Sequence, residues 1–224
     1  MYIYLIIAVL LTGTILLYFR VAIHFGITDK PNIRSSHTVV TIRGGGIIFP
    51  VAALTWFVIS GFELPWLITG LFMIAVISFM DDVTELSPVL RIFVHFTAVT
   101  LLFLQAHLFG LPWFYIFIVY LFTIGWINAF NFMDGINGIT AFYALVALGT
   151  FFVLNRTERF IPEELTVLMI ISVVIFSFFN VRKKARCFAG DVGSIPMAFI
   201  LAFMMISLIL KTGRWEYIPA SRVI

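Results

Sequence analysis

The sequence has little charge. Only 11% of its 224 residues are Asp, Glu, Lys or Arg, against about 25% in a soluble domain. It has one cysteine, Cys187, which excludes an intrachain disulfide framework. Its net charge of +3 is too small an excess for binding a polyanion, so a nucleic-acid partner is not expected. No basic segment precedes the first apolar run, because Arg20 is the first basic residue. That run therefore reads as a retained helix rather than a cleaved signal peptide. No internal repeat and no low-complexity linker interrupts the chain. What is present is apolar surface: 62% hydrophobic residues, with 26 phenylalanines. This excludes a disordered chain and an ordinary soluble globule, and points to one polytopic membrane domain over residues 1–224.

A helix that crosses the hydrocarbon core needs about 20 predominantly apolar residues. Eight stretches qualify: 1–19, 46–62, 64–80, 89–108, 112–130, 137–154, 165–180 and 193–210. Lipid cannot satisfy free backbone N–H and C=O groups, so each is expected to be helical and the fold an all-α transmembrane bundle. If the N-terminus lies outside, the loops 20–45, 81–88, 128–136 and 181–192 lie inside. Together with Arg91, that side holds nine basic residues: Arg20, Lys30, Arg34, Arg43, Arg91, Arg182, Lys183, Lys184 and Arg186. The opposite loops hold four: Arg156, Arg159, Lys211 and Arg214. This asymmetry follows the positive-inside rule.

The same four inside loops collect the chemistry. Asp81 and Asp82 close the third span in the stretch FMDDVTELSP. Adjacent helical residues point about 100° apart, so the pair is not a simple pincer; one carboxylate could hold a metal while its neighbour acts as a base. The same stretch also reads as a helix stop, with Ser87–Pro88 capping the next span. In NAFNFMDGING, residues Asn128, Asn131, Asp134 and Asn137 recur every three positions. Neighbours in that stripe share a helix face and its ends do not. It reads as a polar pocket, or as interhelical hydrogen bonding. In NVRKKARCFAGDVGS, a basic run leads to Phe188 and then to Asp191 between glycines at the mouth of the eighth span, where backbone N–H groups favour anions. In TDKPNIRSSHTVVTIRGGG, residues Lys30, Arg34, His37 and Arg43 suit phosphate, and Gly44 to Gly46 permit close backbone approach to a ligand. No Gly-Lys-Ser/Thr ending makes this a Walker loop. Carboxylates near basic groups suit Mg²⁺ and phosphate together, and hence phosphoryl transfer between a soluble partner and a membrane lipid. Polar residues in spans also mark transporters and channels. That reading is weaker, because the polar sets crowd one face, and His95 and Gln105 read as helix–helix contacts.

The elements DD-x-x-x-L-S-P, N-x-x-N-F-M-D-G and G-D-V-G-S, in this order and on one side, resemble the polyprenyl-phosphate N-acetylhexosamine-1-phosphate transferases. The form is closer to the glycan-initiating branch than to the peptidoglycan branch. The resemblance implies transfer of a sugar 1-phosphate from a UDP-N-acetylhexosamine to undecaprenyl phosphate, with release of UMP. The product would start a lipid-linked envelope glycan such as O-antigen or capsule. It implies Mg²⁺ as cofactor, with Mn²⁺ as an alternative, and a place in the bacterial cytoplasmic membrane with the site facing the cytoplasm. It leaves a homodimer open. Carried over, Asp81 and Asp82 are the catalytic pair, and Asp191 with Asp82 holds the metal. Asn128, Asn131, Asp134 and Asn137 line the nucleotide pocket. Asn180 and Phe188 contact the uracil, and Lys30, Arg34 and Arg43 contact phosphate. A one-step displacement is favoured, with a route through an aspartyl intermediate left open. Asn137 stands where many members have a second Asp. Members usually have ten or eleven spans and a late His- and Arg-rich loop, so the 224 residues read as a fragment or a truncated product, and an inactive scaffold is the further alternative.

Overall fold

A computed structural model describes residues 2–29, 40–84 and 86–213. Lys30 and Arg34 lie outside them. The described chain is a helix bundle: α1 (Tyr2–Phe25), α2 (Ile48–Ile59), α3 (Pro65–Val83), α4 (Pro88–Gln105), α5 (Trp113–Phe132), α6 (Ile139–Glu158), α7 (Glu163–Asn180) and α8 (Asp191–Thr212). Seven of these have the length and apolarity to cross a membrane. The eighth, α2, falls in the expected second span but has only 12 residues, a rise of about 18 Å. Its start is displaced because Gly45–Ile47 forms a 3₁₀ turn that packs on the segment before α8. Positive φ angles at Gly61, Phe62 and Leu64 then turn the chain sharply into α3.

The ends of the helices follow local chemistry. Ser87 accepts a hydrogen bond from the Leu90 N–H, with Pro88 in the first turn, so the expected cap of α4 is present. At the opposite end of the bundle, the buried Asn155 side chain accepts from the Phe160 and Ile161 N–H groups and donates to the Ile161 carbonyl, closing the α6–α7 turn.

Helix α8 is the axis. Every residue from Asp191 to Met204 is buried, and α8 packs against α2, α3, α5 and α6. α5 is the opposite case: only Thr123, Ile127 and Phe130 are buried, and its indole at Trp126 donates to the Ala198 carbonyl of α8. A helix apolar all round yet exposed over most of its surface fits lipid contact rather than water.

The all-α architecture carries one small addition, an antiparallel pair of β1 (Thr28–Asp29) and β2 (Thr41–Ile42). Ile42 also bridges to Cys187, with the Ile42 N–H bonded to the Arg186 carbonyl and the Phe188 N–H to the Ile42 carbonyl. These bonds bring the segment after α1 onto the segment before α8.

Candidate active site

The polar segments converge at one end of the bundle, where α3, α5 and α7 end and α4, α6 and α8 begin. Asp82, on the last turn of α3, holds the start of α8. One of its oxygens accepts from the Asp191 N–H at 3.0 Å and the other from the Val192 N–H at 2.9 Å. The residue before α8, Gly190, supplies no side-chain cap, so Asp82 does that work from another helix. Its carboxylate also pairs with Arg43 Nε at 2.7 Å, and its side chain is 0% exposed.

Asp134 acts from the α5–α6 turn in a similar way. It accepts from the Gly190 N–H at 2.7 Å and from the Thr140 hydroxyl at 2.9 Å. Burial pushes its pKa up to about 6, against the pull of those two donors. Three further contacts complete the frame. Ser194 donates to Asn131 and to the Gly190 carbonyl. The buried Asn180 accepts from the Gly138 N–H and donates to the Cys187 carbonyl. Tyr18 of α1 donates to the Arg43 carbonyl at 2.6 Å. Burial also raises the Cys187 thiol, which keeps it protonated and unreactive.

Glycines make this frame possible. The Gly46 and Gly45 N–H groups bond to the Ala189 and Phe188 carbonyls. A side chain on Gly46 would begin 2.5 Å from the Gly193 Cα, closer than backbone and side chain can pack. Gly190 has a φ of +69° and lies where a Cβ would press on Asp82 and Gly44. The triglycine thus brings backbone close to backbone, where its sequence suggested approach to a ligand.

Asp81 and Asp191 remain as the carboxylates at the open side, with side chains 10% and 12% exposed. Arg91, one turn into α4, bridges them, with Nη1 at 2.8 Å from Asp81 and Nη2 at 3.5 Å from Asp191. Asp81 also accepts from the Leu86 N–H. Arg43 reaches Asp191 at 3.4 Å. Burial works against its charge, but Asp82 and Asp191 outweigh that and hold its pKa above the ordinary arginine value. Arg91 enters the sequence reading only as a loop charge, yet it is central here. Its signal is a cation placed one turn after the Ser87 cap, facing back over the end of α3.

A polar pocket and a mixed one flank this cluster. One, of about 170 Å³, is lined by Asp29, Arg43, Asn131, Asp134, Phe188, Gly190 and Asp191. The other, of about 130 Å³, lies between α4 and α5 and includes Arg91, His95 and Asn128. The asparagine stripe therefore divides. Asn131 and Asp134 face the first pocket and Asn128 the second, while Asn137 donates to the Arg182 carbonyl. Asp29 lines the first pocket although its sequence context singled out only its basic neighbours. Among the described residues, no three Asp, Glu, His or Cys side chains form a ready metal cage.

The family model for glycosyl transferase family 4 matches residues 64–209, well over half of the chain and all of it from α3 through most of α8. The chain belongs to glycosyl transferase family 4. Curated relatives agree with this membership. A probable undecaprenyl-phosphate N-acetylglucosaminyl 1-phosphate transferase of Bacillus subtilis is 24% identical over 214 residues, covering 86% of this chain and 58% of the relative. A phospho-N-acetylmuramoyl-pentapeptide-transferase of Streptococcus gordonii is 27% identical over 192 residues, covering 73% and 59%. An undecaprenyl-phosphate alpha-N-acetylglucosaminyl 1-phosphate transferase of Yersinia pestis is 28% identical over 209 residues, covering 84% and 57%. The chain thus spans a little under three fifths of the length of these relatives. The family match begins after Arg43, so it takes in the three aspartates at α3 and α8 but not the arginine that ties two of them together.

Proposed function

We propose that this chain carries the membrane-embedded centre of a transferase that moves N-acetylhexosamine 1-phosphate from a UDP-sugar to undecaprenyl phosphate. UMP is released, and the product starts a lipid-linked envelope glycan of the O-antigen or capsule type. One observation carries the reading: Asp81 and Asp191 meet at the open side of a buried frame, bridged by Arg91, with a polar pocket beside Asp191.

The residues present fit a divalent cation. Asp81 and Asp191 bring two carboxylates to the one guanidinium, Arg91, that bridges them. Asp81, Asp82, Asp134 and Asp191 against Arg43 and Arg91 leave an excess of two negative charges. Mg²⁺ commonly takes one or two carboxylates and completes its shell with substrate phosphates, so a ready cage is not required. Asp191 and Asp81 are the residues that would hold it. Asp82, paired with Asp191 in the sequence reading, faces no solvent and spends its oxygens on Arg43 and α8. When bound, the ion neutralises charge on the diphosphate.

The chain's own residues do the rest. Arg43 holds the donor phosphates in the first pocket, with Phe188 against the base and Asn131 beside the sugar. A lipid phosphate oxygen bonds to the β-phosphorus as that phosphorus loses its bond to the bridging oxygen. The bridging oxygen leaves with UMP, and Asp81 accepts the proton if the lipid phosphate arrives protonated. Arg91 steadies the charge that gathers between the two phosphates.

Membranes containing the chain, given radiolabelled UDP-N-acetylglucosamine and undecaprenyl phosphate, should form a labelled lipid and UMP. Asp191→Asn and Asp81→Asn should each lower the rate roughly a hundredfold, and EDTA should abolish it until Mg²⁺ is restored. A labelled lipid formed at the same rate by both variants would sink the reading.

A further inference from the structure

The basic run between α7 and α8 has no part in the site described above. Arg182, Lys183 and Lys184 are exposed, and among the described residues none of the three pairs with a carboxylate. The aspartates at this end are engaged by Arg43, Arg91 and backbone N–H groups instead. A surplus of basic residues is enough to orient a membrane chain. Orientation needs only the charges, yet here the backbone that carries them is held in place. The Arg182 N–H bonds to the Asn180 carbonyl at 2.9 Å, and the Arg182 carbonyl accepts from the Asn137 side chain at 3.1 Å. The Arg186 N–H bonds to the Phe179 carbonyl at 2.9 Å. The run is thus pinned to the end of α7 and to the α5–α6 turn, so that little ordering is left to be done when a ligand meets it.

Beside the charges the surface is apolar. Val174 and Phe178 share a face of α7 and are 53% and 66% exposed, and Arg182 follows at the same four-residue spacing. The Arg182 guanidinium lies 4.7 Å from the centre of the Phe178 ring, and its Nε donates to the Phe178 carbonyl. On α6, the exposed Phe142 meets Val181 across Gly138, where a Cβ would lie 3.2 Å from the Phe142 ring and 3.6 Å from Val181. Two neighbouring helices therefore present exposed aromatic rings that end in a row of cations. A soluble anion would use the cations and gain nothing from the rings. A phospholipid uses both, with its phosphate on the charges and an acyl chain on the rings.

The patch is separate from the carboxylate cluster. α6 and α7 pack on each other and on α1, α2 and α8, whereas Asp81 lies on α3 and Arg91 on α4.

We infer that this patch binds one anionic diacyl phospholipid, its phosphate held by Arg182, Lys183 and Lys184 and an acyl chain lying against Phe178 and Phe142. The inference does not rest on the transferase reading, since no sugar or polyprenyl substrate takes part in it. Each basic residue near an anionic lipid surface strengthens binding roughly fivefold.

The test is native mass spectrometry of the purified chain in neutral detergent, titrated with phosphatidylglycerol or phosphatidylcholine. The chain should take up one phosphatidylglycerol at least about tenfold more tightly than phosphatidylcholine. Arg182→Gln, Lys183→Gln and Lys184→Gln together should erase that preference. Phe178→Ala, which removes no charge, should weaken phosphatidylglycerol about fivefold. Arg156→Gln with Arg159→Gln, at the opposite end of the bundle, should leave the preference intact. A preference that survives both the triple variant and Phe178→Ala would overturn the proposal. So would an equal loss in the Arg156 and Arg159 variant, which would reduce the effect to net charge. Displacement of phosphatidylglycerol by inorganic phosphate at equal concentration would make this a site for a free anion. Displacement by UDP-N-acetylglucosamine or undecaprenyl phosphate at equal concentration would return the run to the transfer substrates, and either result also overturns the proposal. Charge-dependent phosphatidylglycerol binding by a chain that transfers no sugar would uphold the patch and sink the transferase reading. Transfer at full rate by a chain without the lipid preference would do the reverse.

Discussion

Asp82 and Asp191 are both acidic residues at helix ends, and their surroundings give them different work. Asp82 is enclosed and saturated, so its removal leaves two N–H groups of α8 without a partner and Arg43 with only its longer contact to Asp191. Leaving a buried N–H group unsatisfied costs about 1–3 kcal/mol. Asp82→Ala should therefore lower the melting temperature of the purified protein sharply, while Asp191→Asn, at the open side, should leave it nearly unchanged and remove activity. Equal melting shifts for the two would contradict this division. Asp134 adds a pH signature. Its folded pKa, near 6, lies above the ordinary value of 3.8, so the folded state holds the proton more tightly than the unfolded chain. Its contribution to stability is full below about pH 3.8 and is lost as pH rises through 6. Asp134→Asn keeps an acceptor for the Gly190 N–H and, without the charge, can donate to the Thr140 hydroxyl in place of accepting from it, so melting curves should show it gaining on the wild type between pH 5 and pH 8. A constant difference across that range would refute the assignment. The aspartates themselves were legible in the sequence because a carboxylate beside an apolar span is anomalous. Their division of labour was not. Arg43 meets Asp191 across 148 positions, and no local pattern encodes that meeting.

Among the elements, the junction of the triglycine with the start of α8 sets the site's dimensions. Gly46→Ala would push a methyl group into the Gly193 backbone, and overpacking of that kind costs typically about 1–3 kcal/mol. Because the two segments carry Arg43 and Asp191, separating them should lower activity more than stability. Gly13→Ala, where a side chain meets nothing, is the matched control. If Gly46→Ala and Gly13→Ala behave alike in melting and transfer assays, the junction has been misread. The seven long helices were readable because hydrophobic length is a whole-segment property that survives any error at the ends. The short α2 was not, since residues 46–62 are apolar enough to span and only the glycine contact made elsewhere diverts their start. The β1–β2 pair escaped for a related reason: two residues per strand give no alternation to detect.

For the whole molecule, the hydrogen bonds that join Arg43, Asp82, Asp134 and Asp191 put four polar segments at one end, and the surplus of basic residues predicts that this end faces the cytoplasm. Cys187 is buried, so the natural thiol gives little background to a membrane-impermeant maleimide. Lys183→Cys, exposed beside the site, should label only in inverted vesicles, and Glu63→Cys, exposed at the other end, only in intact cells. The reverse pattern would invert the topology. The assembly of this end also has an order in time. Asp82 leaves the ribosome with Arg43 already made, but the backbone groups that complete its coordination belong to residues 109 and 110 positions later. At about 5–20 residues per second, that is a delay of roughly 5–20 s. Throughout it the early spans sit in the bilayer with a half-neutralised acid at their edge, and only the arrival of the last helix closes the account. A nascent chain stalled before Asp191 is therefore the species that the membrane's proteases should recognise first.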